Sequence, residues 1–313
     1  MAYPKPAPDS LRIEHTPEGL RDWVAQRRRA GETIGLVPTM GALHEGHLSL
    51  VAALGAVVDR VVVSIFVNPT QFGPNEDFTR YPRQEAEDLA KLKSMGVDVA
   101  YLPTVDVMYP EGFTTTVSVK GPLTEVLEAE IRPGHFDGVA TVVSKLLIQT
   151  NPDVAAFGEK DYQQLQVIRR MVKDLNMPIA ILPVKTGRDT SGLALSSRNA
   201  YLSAEQRDVA RTLNVILARA AGRLRAGATG ADATELATEE LLKAGFDSVD
   251  YVAFADPDTL QPLTRYEGKG RILAAARLGK TRLIDNMAVE IQQAAAVPTT
   301  AANAFLNVSG TAA

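Results

Sequence analysis

The chain has 313 residues, of which 45% are apolar and 22% charged, the mix of a globular protein long enough for two domains. A net charge of -4 argues against a nucleic-acid binder that relies on bulk positive charge, while leaving room for a local basic pocket. With no cysteine, disulfides, cysteine-ligated zinc and a thiol nucleophile are excluded and a reducing cytoplasm is permitted.

The opening MAYPKPAPDS is polar and proline-rich and lacks the apolar run of a signal peptide. No stretch approaches the roughly 18 apolar residues of a membrane span, so a cytoplasmic protein with no membrane partner is expected. The β-branched runs Thr33–Val37 and Val61–Val67 predict buried strands, with a helix over Gly46–Val58 between them. Asp88–Met95 reads as a helix stopped by Gly96, and Val97–Leu102 as the next strand. A helix over Gly138–Gln149, a strand at Val154–Phe157, a helix over Asp161–Asp174 and a strand at Ile179–Val184 complete the alternation. Strands alternating with helices imply βαβ units, a largely parallel sheet and ligands beyond the carboxyl ends of its strands.

The character changes after residue 186. Ala204–Arg225 reads as one long helix and Ala231–Ala244 as a second, and the runs Val249–Phe254, Arg271–Ala276 and Thr281–Ile284 suit a small antiparallel sheet. The expected fold class is α/β, a Rossmann-like mostly parallel sheet with helices on both faces plus a smaller α+β C-terminal domain. Domain limits of 1–186 and 187–291 are expected, and a disordered tail over 292–313, which is rich in Ala and Thr.

The strongest local signal is Pro38-Thr39-Met40-Gly41-Ala42-Leu43-His44-Glu45-Gly46-His47, which follows a strand and enters a helix. Glycines let a backbone approach phosphate, and a helix start offers unpaired N–H groups. His44 and His47, three residues apart, can both donate to phosphate oxygens. The other readings are two surface histidines or part of a metal site, and zinc usually wants three protein ligands. Ala274 with Gly279-Lys280-Thr281 fits a permissive phosphate-loop pattern but lacks a glycine-rich nest and a following helix. It reads instead as a tight turn between strands.

His44-Glu45-Gly46-His47 resembles the His-x-Gly-His element of the nucleotidyltransferase superfamily, which handles an α-phosphate. The narrower match adds Phe66-Val67-Asn68-Pro69-Thr70-Gln71-Phe72, Arg132-Pro133-Gly134-His135-Phe136-Asp137-Gly138-Val139, Phe157-Gly158-Glu159-Lys160-Asp161-Tyr162-Gln163-Gln164 and Gly192-Leu193-Ala194-Leu195-Ser196-Ser197-Arg198-Asn199. In this order and spacing the five stretches resemble the pantothenate synthetases (pantoate–β-alanine ligases), a resemblance that covers about residues 30 to 290. The resemblance implies an AMP-forming amide ligase with ATP as co-substrate, Mg²⁺, the substrates pantoate and β-alanine, and a homodimer. The second domain would be a lid over the first.

Residue by residue, the resemblance implies that Met40, Gly41, Ala42, Leu43, His44, Glu45, Gly46 and His47 surround ATP, His47 being the residue usually called proton donor. Gly158, Glu159, Lys160, Asp161, Leu195, Ser196, Ser197 and Arg198 would line the nucleotide pocket, and Gly187 would touch adenine through its backbone. The family usually reads Pro-Thr-Val-Arg-Glu where this chain has Lys185-Thr186-Gly187-Arg188-Asp189, which removes side-chain packing on the base. Gln71 and Gln164 would bind pantoate. Attack of a carboxylate on the α-phosphorus brings two anions together, so positioning and electrostatic stabilisation carry the step. His44, His47, Lys160 and Arg198 are the donors and cations expected to supply it. Asn68 joins the glutamines as a neutral group suited to a hydroxylated acid. Arg132 and His135 either approach a bound anion or order a loop, and Asp88 either helps hold Mg²⁺ or belongs to an acidic surface helix. Lys160 between two acids could be a solvated charge run, and Arg198 part of a helix entry capped by serine. Two rival functions are a simple adenylyltransferase and a non-catalytic nucleotide-binding module.

Overall fold

A computed structural model describes residues 11–74 and 76–290; the expected tail over 292–313 lies outside them. Six strands, β1 (Arg12–Glu14), β2 (Ile34–Thr39), β3 (Arg60–Ile65), β4 (Val99–Tyr101), β5 (Val154–Gly158) and β6 (Ala180–Val184), form one sheet. Their order is β1-β4-β3-β2-β5-β6 and every neighbouring pair is parallel. Strands of a parallel sheet are covered on both faces. Accordingly Leu36, Val37, Val61, Val62 and Val63 are all fully buried.

Seven helices accompany the sheet: α1 (Pro17–Arg29), α2 (Glu45–Gly55), α3 (Glu85–Ser94), the short α4 (Val105–Met108) and α5 (Glu128–Ile131), α6 (His135–Thr150) and α7 (Tyr162–Asp174). Alternation along the strands divides the core. Leu36 and Val62 pack with Leu20, Val139 and Leu165 of α1, α6 and α7 on one face. Val37, Val61 and Val63 pack with Leu54 and Leu92 of α2 and α3 on the other.

Beyond β6 come α8 (Ala204–Ala210), α9 (Thr212–Arg225), α10 (Gly230–Ala244) and an antiparallel sheet of β7 (Ser248–Ala255), β8 (Arg271–Leu278) and β9 (Thr281–Ala288) in the order β7-β8-β9. The expected α/β class, with its parallel sheet and smaller α+β part, therefore holds. Leu213, Ile216, Leu217 and Leu224 of α9 cover this second sheet through Phe254 and Ile272. Ala255 and Leu273 reach the first core, so the two parts share apolar contact.

Three local readings need correction. The expected single helix over 204–225 is two helices meeting at Arg211, where the Thr212 hydroxyl donates back to the Val209 carbonyl at 2.7 Å and competes with regular helical bonding. β9 runs four residues beyond Ile284 because its polar Asp285 and Asn286 are buried with partners rather than solvated. The sequence reading places no element before Thr33, yet β1 pairs with β4 and α1 is capped by Thr16, whose hydroxyl accepts from the Gly19 N–H at 3.2 Å, with Pro17 in its first turn. Gly279 and Lys280 form a two-residue turn between paired Leu278 and Thr281, so the phosphate-loop lookalike is a hairpin.

Candidate active site

The sheet order decides where a ligand can lie. After β2 the chain builds outward through β3 and β4, and after β5 it builds the other way through β6, so order reverses between β2 and β5. A crevice opens at such a reversal, beyond the carboxyl ends of the strands. The segment Met40–His47 leaves β2 there, and Gly158–Asp161 leaves β5 directly beside it. Two of the five sequence stretches are thus neighbours although about 110 residues apart.

The β2 exit does not present its amides to a ligand as the sequence suggests. Gly41 and Ala42 both take left-handed backbone, φ +79 and +49, which turns successive N–H groups to one side. The anion they meet is Asp88 of α3, whose two carboxylate oxygens accept from Ala42 N–H at 2.8 Å and Leu43 N–H at 2.7 Å. Asp88 is 1% exposed, and burial pushes its carboxyl up against the downward pull of those two amides. Its expected role as a magnesium ligand does not fit, because both oxygens are already engaged inside the protein. Its role is to brace the loop. Replacing Asp88 with Ala is expected to lower unfolding free energy by about 3 kcal/mol, since two buried amides lose their acceptor. Urea unfolding measures this, and a loss below about 1 kcal/mol would contradict it.

The two histidines cap α2 for each other. His44 Nδ1 accepts from Gly46 N–H at 3.1 Å, and His47 Nδ1 accepts from His44 N–H at 3.3 Å. A ring nitrogen that accepts a backbone N–H carries no proton, so in each neutral ring the hydrogen sits on Nε2. Burial lowers His44 to about 4, helped by the Lys160 charge. Burial, then His44, then Lys160 lower His47 to about 3. The rings lie 4.0 Å apart between centroids. The result is a pair of neutral Nε2–H donors within the field of two ammonium groups, Lys160 and, more weakly, Lys91.

Lys160 sits on a single 3₁₀ turn, Glu159–Asp161, between β5 and α7. Asn286 of β9, buried, donates its side-chain amide to the Glu159 and Lys160 carbonyls, both at 2.9 Å. Arg271 of β8 stacks on the Tyr162 ring, 3.5 Å from its centroid, and reaches Glu159 at 3.3 Å. The second sheet therefore holds the lysine turn in place.

A cavity of about 670 Å³ opens beside this turn, and its wall includes Gln71, Lys160, Asp161, Gln164, Ser196 and Arg198. Met40–His47 are not part of that wall. They adjoin it through Ser197, whose hydroxyl donates to the Ala42 carbonyl at 3.2 Å, and through Leu195, which abuts Gly46. Gly187 belongs to the same junction: a Cβ there would lie 3.3 Å from both Gly46 Cα and Leu195 Cδ1. Its carbonyl accepts from Leu195 N–H at 2.9 Å, and its own N–H has no backbone partner among the described residues. Ser196 caps the turn Ser197–Tyr201 by accepting from Arg198 N–H at 3.3 Å, so its hydroxyl hydrogen stays available.

Hydrogen-bond counting separates the amides. Asn68 is fully buried, and its Oδ1 accepts from Thr70 N–H, the Thr70 hydroxyl and the Tyr109 hydroxyl at 3.3, 3.0 and 2.8 Å. Its NH₂ must then face Gln71 Oε1 at 2.9 Å and the Gly138 carbonyl at 3.2 Å. Asn68 has nothing left for substrate and corrects to a residue that orients Gln71. With its oxygen engaged, Gln71 offers its NH₂ to the cavity. Gly138 allows this arrangement, since a Cβ there would meet the Thr70 carbonyl oxygen at 2.3 Å. Gln164 has no side-chain partner among the described residues, whereas adjacent Gln163 bonds Glu128 N–H and the Leu123 and Val126 carbonyls.

The same count separates the arginines. Arg132 donates to both oxygens of Glu76 at 2.7 and 2.6 Å, to the Gln71 carbonyl at 3.2 Å and to His135 Nε2 at 3.0 Å. His135 therefore carries its proton on Nδ1, which donates to the Gln71 carbonyl at 2.8 Å. Burial, followed by the Arg132 charge, lowers this histidine to about 4. The pair orders the Gln71 loop instead of meeting substrate. Arg198 is bound to Asp77 through Nε and Nη2 at 3.1 and 2.8 Å and keeps its other donors free. Glu76, Asp77 and Asn286 are missed by sequence reasoning, and no local pattern marks them. Among the described residues no group of three His, Cys, Asp or Glu side chains could hold a metal ion.

A family model described as pantoate-beta-alanine ligase matches residues 12–288. The pantothenate synthetase of Paramagnetospirillum magneticum is 57% identical over 281 residues, covering 90% of this chain and 99% of that protein. That of Rhizorhabdus wittichii is 54% identical, covering 90% and 99%. The crystal structure of pantothenate synthetase from Thermus thermophilus superposes with a TM-score of 0.85 at 47% identity, covering 90% of this chain and all of that one. A pantoate-beta-alanine ligase from Francisella tularensis, complexed with beta-gamma ATP and beta-alanine, gives 0.75 at 36%, covering 90% and 98%.

Proposed function

The chain belongs to the pantoate–β-alanine ligase family, and from that premise we propose how its residues share the work. The enzyme condenses pantoate with β-alanine at the expense of ATP, giving pantothenate, AMP and pyrophosphate. In the first step a pantoate carboxylate oxygen attacks the α-phosphorus, and the bond to pyrophosphate breaks. In the second, the β-alanine nitrogen attacks the acyl carbon of the pantoyl adenylate, loses a proton, and AMP leaves.

The observation that carries the assignment of roles is the neutral imidazole pair lying in the field of Lys160 at the sheet's reversal point. Two Nε2–H donors and one ammonium suit charge that grows on α-phosphate oxygens and on departing pyrophosphate. Arg198 and the Ser196 hydroxyl extend this set toward the outer phosphates. Gln71 NH₂ and Gln164 face the acid, and loss of a hydroxyl from that acid would leave them unpaired.

Magnesium usually keeps several waters and binds through one or two carboxylates plus substrate phosphates. The donors here fit that mode, with Asp161 the half-exposed carboxylate beside Lys160, 3.8 Å away. Bound there, the ion would neutralise pyrophosphate. Kinship with the family supports a homodimer and a cytoplasmic setting, and among the described residues no helix is long and apolar enough to cross a membrane.

The test is AMP and pyrophosphate release from ATP and pantoate, with and without β-alanine. Turnover is expected to need the amine beyond one equivalent of enzyme-bound adenylate. Continuous amine-independent formation of a stable adenylylated product would point to an adenylyltransferase instead.

A further inference from the structure

We propose that Asp77 is the positioning residue for Arg198, holding its guanidinium side-on so that the free Nη end is presented to the polyphosphate of the nucleotide. The inference rests on the ATP-binding reading above and goes beyond it, because it gives a task to a loop outside the five sequence stretches.

The loop that carries Asp77 is anchored at both ends. Residues 72–74 and 76–81 follow the Gln71 turn and carry an aromatic nest, in which Phe72 packs edge-on against Phe78 and Tyr81 with centroids 5.4 and 5.8 Å apart. Turns from Glu76 N–H to the Gly73 carbonyl and from Arg80 N–H to the Asp77 carbonyl, both 3.0 Å, fix the backbone at the acidic pair. Tyr201 ties the far end, its hydroxyl donating to the Arg80 carbonyl at 3.0 Å. The loop is thereby joined to the segment that carries Arg198.

Consecutive carboxylates then treat two arginines differently. Arg132, held by Glu76, also serves Gln71 and His135 and has little donor capacity left. Arg198 gives Asp77 only Nε–H and one Nη2–H. A guanidinium has five N–H groups, so three remain, and none has a partner among the described residues. Two of them, one on each Nη, form the end of a plane that Asp77 fixes from the Nε side, the third points from Nη1 to the far side, and the Tyr81 ring centroid lies 5.9 Å from the guanidinium carbon. Arg198 lines the cavity, and planar paired donors match phosphate oxygens. Fixing a long, rotamer-rich side chain in the folded protein removes that ordering cost from the binding step. The same carboxylate also repels phosphate, but it faces the edge away from the ligand and its charge is offset by the guanidinium it holds.

The experiment is a double-mutant cycle on the full chain. Affinity for a non-hydrolysable ATP analogue is measured by calorimetry for the parent, Asp77→Ala, Arg198→Ala and the double variant, with Asp77→Glu as the conservative check and thermal unfolding alongside. Asp77→Ala is expected to weaken the analogue about tenfold, with much less loss in the Arg198→Ala background, because groups in direct contact are non-additive. Asp77→Glu is expected to recover part of the loss. Tighter binding by Asp77→Ala would make Asp77 a competitor of the ligand and overturn the proposal. An additive loss in the double variant, or one that merely follows a lowered unfolding temperature, would overturn it as well. Turnover of the parent with pantoate and β-alanine is judged separately, so failure of the ligase reading is distinguishable from failure of this one.

Discussion

Replacing Lys160 with alanine is expected to slow adenylate formation by about 10²-fold or more, the scale of removing a preorganised donor to developing charge. The reason lies in how three arginines around the cavity are occupied. Arg132 is held by Glu76, Arg198 by Asp77, and Arg282 by both oxygens of Glu128 at 2.7 Å together with Asp250. Each pair enters the site nearly neutral. Lys160 has only Asp161, 3.8 Å away on a side chain 49% exposed, so solvent weakens that pairing. Its charge is felt on both imidazoles instead, which it helps to keep neutral. Removing it takes away a weakly compensated positive charge where two anions must meet. Quench-flow of a single turnover with ATP and pantoate alone isolates this step from amine attack. Lys160→Arg should retain more of the rate than Lys160→Gln, since charge matters here more than hydrogen bonding. A change below about threefold for the alanine variant would remove Lys160 from the reacting phosphate.

That lysine is legible in the sequence because it sits in a word that joins a strand to a helix. Period and punctuation are local properties, so the apolar runs that form β2, β3 and β5 can be read, and with them the loops at their carboxyl ends. The first strand and helix are open to the same rules, since Thr16-Pro17 is a cap and Leu20, Trp23 and Val24 repeat at helical spacing. What cannot be read is which distant group satisfies which polar atom. Asp88 lies 46 residues from the amide of Ala42, and Asp77 lies 121 from Arg198. Ion pairs have no period, and either acid looks in the chain like one more charge on a solvated surface. This is why the motif loop reads as an open phosphate cradle when its amides are already filled, and why Asn68 reads as a substrate ligand when its donors are spent inside the protein. In both cases the sequence displays a polar group and conceals its partner.

The filled cradle bears on the second large effect. With the Ala42 and Leu43 amides closed by Asp88, and His44 and Gly46 amides by the imidazoles, the β2 exit reaches a phosphate chiefly through ring Nε2–H groups. His47→Ala is therefore expected to lower the single-turnover rate by about 10²-fold or more. It also removes the acceptor of the His44 N–H and so loosens the neighbouring ring. His47→Gln restores a neutral N–H donor and should recover part of the rate if the histidine acts uncharged. If catalysis requires an imidazolium proton, glutamine should be no better than alanine. The charge state can be followed directly, because the chain has only four histidines. In the free protein, nuclear magnetic resonance should find His44, His47 and His135 still neutral at pH 5.5, with protonation only near 4, 3 and 4. The sign for stability follows from those depressed values. Between the folded values and the ordinary 6.5 the unfolded chain binds more protons, so stability is full above about pH 6.5 and declines as pH falls toward 4 and 3. A titration of His47 near 6.5 in the free protein would mean that its Nδ1 can be protonated there, and the argument for a neutral donor would fail with it.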